Sequence, residues 1–314
     1  SEIVFTSGAT ESNNLALFGL LDEARKLGKN HIISTEIEHK AVLDPLNEIA
    51  KQGFDVTLVA PNKNGSIDPK AIVDQITDKT FLVSCMHVNN ETGVINPIED
   101  IAVSIKSTNP DIYFHSDCAQ SFGKTSLSMN NKNIDLLSFS AHKFHGPKGI
   151  GALYISNNIK NTLRPLMSGG GQEMNLRSGT LSPALCVGIG EACKDLSQNR
   201  EKYTKHFEEI KSTLVSELNN SKLDYVINGN VEQRIPNNLN ISIKGKVAEQ
   251  LFNFMPHIAL SSGSACTSGT IERSHVLSSM KLDDARIDGS FRISAGRNTT
   301  MDEIKTLVEN LSKL

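Results

Sequence analysis

The chain has 314 residues, of which 38% are hydrophobic and 21% are charged, and its formal net charge is −3. This composition is that of a globular protein with room for one large and one smaller domain, and the slightly acidic balance argues against a nucleic-acid or anionic-membrane surface. Five dispersed cysteines without a C-x-x-C pair fit neither a disulfide framework nor a zinc site.

The chain opens inside an apolar strand pattern at Ser1, so we expect natural sequence to precede it. No apolar run approaches the length of a membrane span. The compartment that these features favour is a reducing one, the cytoplasm or an organelle matrix.

Short β-rich runs alternate with helical stretches over the first two-thirds of the chain, which is typical of βαβ units and a mostly parallel sheet. The predicted strands there are residues 2–6, 31–35, 55–60, 80–86, 113–116, 134–138 and 151–155. The predicted helices include residues 11–27, 42–52 and 97–107. We therefore predict an α/β fold whose large domain covers residues 1–200.

The alternation of strands and helices stops near Leu185, where a long predicted helical stretch begins and continues to Leu218. Predicted strands follow at residues 224–227 and 238–242. The last helix starts with Thr300 and Glu303 in the spacing of a capping box. We predict a smaller C-terminal α+β domain over residues 201–314.

Polar side chains follow several predicted strands at the point where each strand ends. Because the carboxyl ends of parallel strands meet at one edge of a sheet, such residues converge on one crevice. Each has a plain alternative, since Asp117 can cap a helix and residues 90–93 can form a turn. The residues in question are Thr10, His39, Asn90, Asp117, Gln120 and Lys143.

Lys143 stands where an apolar strand runs into a Gly-rich turn, beside His142 and His145. An amine attacks a carbonyl only when it is unprotonated, and these surroundings favour a lowered pKa for Lys143. The placement suits a lysine that forms a Schiff base. A solvated lysine in a surface loop is the alternative.

Pyridoxal phosphate is the cofactor that this combination indicates. It needs an amine such as Lys143, an acid such as Asp117 for its pyridinium proton, and a phosphate site. The turn from Ser7 to Thr10 passes from a strand into a helix and offers backbone N–H groups to a phosphate. Neither this turn nor residues 169–171 has a dinucleotide or P-loop pattern.

Six segments, in order along nearly the whole chain, resemble the cysteine desulfurases of the IscS/NifS type, which are class V, fold-type I pyridoxal-phosphate enzymes. These segments are FTSGATES at 5–12, EHKAV at 38–42, MHVNNE at 86–91, SAHK at 140–143, RSGT at 177–180 and SSGSACT at 261–267.

The resemblance implies a role for each matching residue. Lys143 is the Schiff-base lysine, Asp117 the partner of the pyridine nitrogen, and His39 stacks on the ring. Gln120 contacts the phenolate oxygen, and Asn90 and Arg292 bind the substrate carboxylate, for which the planar fork of arginine is suited. A surface arginine on a strand is the alternative for Arg292. The phosphate site is Ala9, Thr10, Ser140 and His142, joined by Thr180 of the neighbouring subunit in a homodimer.

Cys266 lies in a run of small and flexible residues, which predicts a mobile loop. The resemblance makes it the nucleophile that takes sulfur from L-cysteine, leaving L-alanine and an enzyme persulfide for an acceptor protein in iron-sulfur cluster assembly or tRNA thiolation. A small buried hydrophobe is the alternative for a free cysteine, and the one we expect for Cys85, Cys118, Cys186 and Cys193. Other reactions remain open: selenocysteine lyase, a class V aminotransferase, or a non-catalytic subunit.

Overall fold

A computed structural model describes residues 2–127, 133–262 and 273–313 of the chain. The chain divides into two compact units. Unit 1 contains Ser1–Ala60, Ile67–Asn89 and Asn96–Gln198. Unit 2 contains Pro61–Ser66, Asn90–Ile95 and Asn199–Leu314. Two short segments from the first third of the sequence therefore belong with the C-terminal unit.

The described residues of unit 1 form a seven-stranded sheet in the order β1-β7-β6-β5-β4-β2-β3. The strands are β1 (Ile3–Thr6), β2 (His31–Thr35), β3 (Asp55–Val59), β4 (Thr80–Ser84), β5 (Tyr113–Asp117), β6 (Leu136–Ser140) and β7 (Gly151–Ile155). Every pairing is parallel except those of β7, which is antiparallel to both β1 and β6. The predicted mostly parallel sheet is confirmed.

Helices connect these strands. They are α1 (Ala9–Gly19), α2 (Leu21–Lys26), α3 (Lys40–Ala50), α4 (Pro69–Val73), α5 (Ile98–Thr108) and the first part of α6 (Pro183–Asn220). Helix α5 buries Ile98, Ile101, Ala102 and Ile105, the one-sided spacing of a helix packed on a sheet. Among the described residues no helix has both the length and the apolar character to span a membrane.

Two helices differ from their predicted bounds for physical reasons. The stretch predicted as one helix over 11–27 is interrupted because the Gly19 carbonyl accepts a hydrogen bond from Arg164 N (2.9 Å). Helix α3 begins two residues earlier than predicted because His39 caps it, with Nδ1 accepting from Ala41 N (3.0 Å).

Unit 2 contains a four-stranded antiparallel sheet in the order β10-β11-β9-β8. Its elements are the end of α6, β8 (Tyr225–Ile227), β9 (Asn238–Ile243), α7 (Ala248–Phe254), β10 (Ser261–Ser262), α8 (His275–Ser279), α9 (Asp284–Asp288), β11 (Ser290–Ser294) and α10 (Met301–Leu311). The predicted capping box is confirmed, since Thr300 Oγ1 accepts from Glu303 N (3.2 Å) and the Glu303 carboxylate accepts from Thr300 N (2.8 Å).

Each unit has its own apolar core. In unit 1, side chains from α1, α2 and α3 pack against strand residues such as Ile32 and Leu82. In unit 2, α6 and α10 pack against β9 and β11 around Phe291, which is fully buried. Burial of this apolar surface is the main force that holds each sheet and its helices together.

Candidate active site

Asp117 ends β5 at the carboxyl edge of the sheet, and its side chain is only 4% exposed. Oδ2 accepts from Asn13 Nδ2 (2.7 Å), and Oδ1 accepts from Ala119 N (2.8 Å). Burial raises the pKa of Asp117, and both hydrogen bonds and the charges of His39 and Lys143 oppose that rise. The structure therefore brings His39 and Lys143 each within electrostatic range of Asp117.

Lys143 lies on a short 3-10 helix, Ala141–Phe144, that follows β6 directly. The turn ends at His145, whose φ of 67° is left-handed, and Gly146 N donates back to Ala141 O (2.9 Å). Lys143 is an exposed residue of this turn, whereas Ala141 and Phe144 are buried. The two buried side chains anchor the turn that carries Lys143.

The N-terminus of α1 lies against the end of β6. A Cβ on Gly151 would collide with the Phe139 carbonyl and come within 2.7 Å of Gly8 Cα, so the glycines permit a close backbone approach. A Cβ on Gly8 would lie 3.5 Å from Ser140 Oγ. The first N–H groups of an α-helix lack intrahelical partners and attract anions.

Ser140 and His142 lie at the end of β6, beside the N-terminus of α1, and together with it form what we call the phosphate cradle. Ser140 Oγ and His142 Nδ1 are 2.9 Å apart. Burial, followed by the charges of Lys143 and Lys148, lowers the pKa of His142. A phosphate fits at this point, because Ala9 and Thr10 supply backbone N–H groups of α1 beside two polar side chains.

His39 caps the N-terminus of α3, and Gln120 lies in the turn that follows Asp117. Because His39 Nδ1 accepts from Ala41 N, the neutral ring carries its proton on Nε2. Gln120 is half-buried, and its Oε1 accepts from Lys124 Nζ (3.3 Å). With the buried carboxylate, the exposed lysine and the phosphate cradle, these side chains match the groups that pyridoxal phosphate presents.

Thr180 is exposed in the loop before α6. The loop is tied to the first turn of α1, because Arg177 Nε donates to Glu11 Oε1 (2.8 Å). Within residues 2–127, 133–262 and 273–313, Thr180 makes no side-chain hydrogen bond to the residues around Lys143. The structure alone therefore does not join Thr180 to the site.

Asn90 and Arg292 belong to unit 2 and lie close together there. Arg292 Nη1 donates to Asn90 O (2.6 Å), and Nη2 donates to Ser261 Oγ (3.3 Å). Arg292 Nε and Asn90 Oδ1 are buried and have no hydrogen-bond partner among the described residues. Burial lowers the pKa of Arg292, and the charge of Glu91 partly offsets this. Cys266 lies outside the described residues.

Glu38 is a buried group that the sequence did not single out. Its side chain is fully buried, and Oε1 accepts from Met86 N (2.7 Å) and Thr35 Oγ1 (2.9 Å). Burial raises its pKa to about 8, with the charge of Asp117 adding to the rise. Its only sequence signal is a carboxylate between an apolar strand and the histidine that caps α3.

Asn13 was also missed, although it is the residue that holds Asp117 Oδ2. From the sequence, Asn13 and Asn14 are expected to be ordinary polar residues on the exposed face of a helix. In the structure Asn13 is fully buried. Only the packing of α1 on the sheet distinguishes Asn13 from its neighbour.

The four described cysteines, Cys85, Cys118, Cys186 and Cys193, are free thiols. Cys85 and Cys118 are buried, as expected, and burial raises the pKa of Cys118 to about 12. Cys186 and Cys193 are only half-buried and pack against the cluster around Phe139.

The family model described as aminotransferase class-V matches residues 1–307 of the chain. The cysteine desulfurase IscS of Rickettsia bellii is 44% identical over 319 residues, a match that covers 100% of this chain and 77% of that protein. The similarity therefore extends through both units.

Two solved structures are similar to this chain. A NifS-like protein superposes with a TM-score of 0.91 at 36% sequence identity, covering 99% of this chain and 82% of that one. SspA, solved in complex with cysteine, superposes with a TM-score of 0.79 at 36% identity, covering 95% of this chain and 82% of SspA. The fold is that of the fold-type I pyridoxal-phosphate enzymes.

Proposed function

This chain belongs to the aminotransferase class-V family and is a pyridoxal-phosphate-dependent cysteine desulfurase, and from that premise we propose that Lys143, Asp117 and His39 form its reaction centre. The observation that carries the proposal is the electrostatic coupling of these residues, which come from three separate strand ends. When bound, the cofactor supplies an electron sink for charge developing at the substrate Cα.

Each residue near the sheet edge has a distinct task in this proposal. Lys143 Nζ would hold the cofactor, and its free amine would take the proton from the substrate Cα. The Asp117 carboxylate, whose negative charge is stabilised by the hydrogen bond from Asn13, would pair with the pyridine nitrogen. His39 would hold the ring, and Gln120 would hold the phenolate oxygen. The phosphate is held by Ala9, Thr10, Ser140 and His142.

Substrate recognition and sulfur transfer require residues of unit 2 in this proposal. Asn90 and Arg292 bind the substrate carboxylate, for which Arg292 offers a planar fork of donors. The Cys266 thiolate attacks the sulfur of L-cysteine. The Cβ–S bond breaks as an S–S bond forms, and the carbon keeps the electron pair and gains a proton. The products are L-alanine and a Cys266 persulfide.

The decisive experiment measures L-alanine formed from L-cysteine by the cofactor-loaded protein with a reductant present. We expect the parent to form alanine and Cys266→Ala to form little. Cys186→Ala is the matched control, because this thiol is half-buried in unit 1, and it should keep the parent rate. Parent-like turnover by Cys266→Ala would rule out a persulfide at that position.

A homodimer completes the proposed site through Thr180, which reaches the phosphate of the neighbouring subunit. Four large apolar side chains near Thr180 in sequence are exposed, as expected of a surface that another chain covers: Leu166, Met167, Met174 and Val187. Sedimentation analysis of the parent and of Met174→Lys tests this. A monomeric parent with full activity would contradict it.

The persulfide is expected to pass to an acceptor protein of iron-sulfur cluster assembly or of tRNA thiolation, in the cytoplasm or in an organelle matrix. A free thiol nucleophile requires such a reducing compartment. Persulfide labelling of candidate acceptors mixed with the cysteine-loaded parent tests this, with Cys266→Ala as the control. Transfer that persists in Cys266→Ala would contradict the route.

A further inference from the structure

The guanidinium of Arg292 donates hydrogen bonds to two uncharged oxygens, the Asn90 carbonyl and the Ser261 hydroxyl. Its Nε is buried without a partner among the described residues. A buried cation in neutral surroundings is costly, so an anion close to it lowers the free energy of the unit.

Glu91 supplies such an anion within the same unit. It follows Asn90 directly, and its side chain is 4% exposed. Oε2 accepts a short hydrogen bond from Ser274 Oγ, and the Glu91 carbonyl accepts from Asn240 Nδ2 (3.3 Å). Burial raises the pKa of Glu91 to about 7, while Ser274 and the charge of Arg292 act in the opposite direction.

We propose that Glu91 is the counter-charge of Arg292 and that its carboxylate is protonated when the carboxylate of L-cysteine binds Arg292. Where Glu91 is ionised in the free protein, substrate binding is then accompanied by the uptake of one proton from solvent onto the Glu91 carboxyl. This inference rests on the proposed role of Arg292. It makes Glu91 a positioning residue, because it acts through Arg292.

Arg234 is another buried cation of unit 2, bonded to the residue that follows Glu91. It donates to the carbonyls of Thr92 and Asn228, and its Nε and Nη1 have no partner among the described residues. Ser274 is flanked by His275 and by Arg273. The Arg273 guanidinium is paired with two carboxylates, those of Asp284 (2.5 Å) and Asp288 (2.8 Å). The charge of Arg292 acts on the Glu91 carboxyl, where it lowers the pKa of Glu91 against the larger effect of burial.

The direction of the pH dependence follows. Below its pKa, Glu91 is neutral and leaves Arg292 free to attract the substrate carboxylate. Above its pKa, the Glu91 carboxylate repels the incoming anion, so KM for L-cysteine rises. The rise approaches about tenfold per pH unit while the free enzyme is ionised and the complex remains protonated.

The test compares KM and kcat for L-cysteine in the cofactor-loaded parent and in Glu91→Gln at several pH values on either side of neutrality. Ionisation of the substrate and of the cofactor affects both proteins equally, so dividing the KM of the parent by the KM of Glu91→Gln isolates the effect of Glu91. We expect this quotient to rise with pH, because only the parent loses affinity for L-cysteine. A quotient that is constant with pH would overturn the proposal.

Ser274→Ala provides a second variant that keeps the carboxyl. It removes the hydrogen bond that stabilises ionised Glu91, so the rise in KM should move to higher pH. If Glu91 had a purely structural role, the pH at which KM rises would be the same in Ser274→Ala and in the parent. Because Ser274 also caps α8, circular dichroism should first establish that the variant folds.

Arg292→Ala separates this inference from the proposed function. An unchanged KM in Arg292→Ala would overturn the carboxylate role of Arg292 and the role of Glu91 with it. If KM is raised in Arg292→Ala but the quotient of the parent and Glu91→Gln KM values does not change with pH, Arg292 keeps its role. That result would overturn only the proposal that Glu91 takes up a proton when substrate binds.

Discussion

The two units prepare opposite charges. In unit 1, two hydrogen bonds and the nearby charges of His39 and Lys143 favour the ionised form of the buried Asp117 carboxylate. In unit 2, neutral oxygens hold the buried Arg292 guanidinium. The first environment suits a protonated ring nitrogen, and the second suits a substrate carboxylate. The comparison teaches that a buried anion and a buried cation can be stabilised by different means within one chain.

Each unit also buries a glutamate whose pKa is raised chiefly by burial, Glu38 in unit 1 to about 8 and Glu91 in unit 2 to about 7. The neighbouring charges act in opposite directions, because Asp117 adds to the rise at Glu38 whereas Arg292 opposes it at Glu91. Burial therefore sets the direction of both shifts, and the neighbouring charge adjusts their size.

The largest effect is expected from Lys143→Ala in unit 1. Loss of the amine that holds the cofactor and moves the Cα proton should lower alanine formation by roughly 10³-fold or more. Lys148→Ala removes another exposed lysine from the same turn and should remain active. Comparable rates for the two variants would contradict the role of Lys143.

Arg292→Ala in unit 2 is expected to act on KM. Loss of charge-assisted hydrogen bonds worth about 1.5–3 kcal/mol should raise KM for L-cysteine by roughly 10- to 100-fold, with a smaller change in kcat. Arg273→Lys is the control, because Arg273 is paired with Asp284 and Asp288. A fall in kcat alone would argue against carboxylate binding.

Glu38→Gln tests the buried acid of unit 1. The folded-state pKa of about 8 lies above the ordinary value of 4.5, so the folded protein binds more protons between these values and loses stability as pH rises through that window. The glutamine variant should lack this loss, which is on the order of a few kcal/mol. Thermal unfolding of the cofactor-free proteins at acidic and alkaline pH measures it. Parallel stability curves for both proteins would show that Glu38 is ionised.

The smallest effect is expected from Thr300→Ala in unit 2. Loss of the cap on α10 should cost about 1 kcal/mol of stability without changing KM, since α10 carries no residue of the proposed site. Thr306→Ala alters an exposed position in the middle of the same helix and should cost less. Equal losses would mean that the capping box contributes little.

Local sequence patterns predicted the kind of each element that they assigned, but they did not assign α4, α7, α8, α9, β10 or β11. Apolar runs such as the centre of β4 need no distant information to indicate a strand. The capping box of α10 is likewise contained in four consecutive residues. Bounds were less accurate, since β6 is Leu136–Ser140 whereas residues 134–138 were predicted.

The candidate site was only partly accessible from the sequence. Residues that follow strand ends can be identified from the chain order, and His39 and Lys143 do come within electrostatic range of Asp117. Asn13 and Glu38 were missed because nothing in their neighbouring residues reveals that they are buried. Their partners, Asp117 and Met86, lie far away in the sequence.

The sequence by itself determined the alternation of strands and helices, the family and the residues able to do the chemistry, because these depend on local periodicity and residue type. Only the tertiary structure decided that Pro61–Ser66 and Asn90–Ile95 belong with the C-terminal unit. It also decided which carboxyl groups are buried and which charges act on them. Desolvation and electrostatic interactions depend on distances in space, which segments remote in sequence set when they pack.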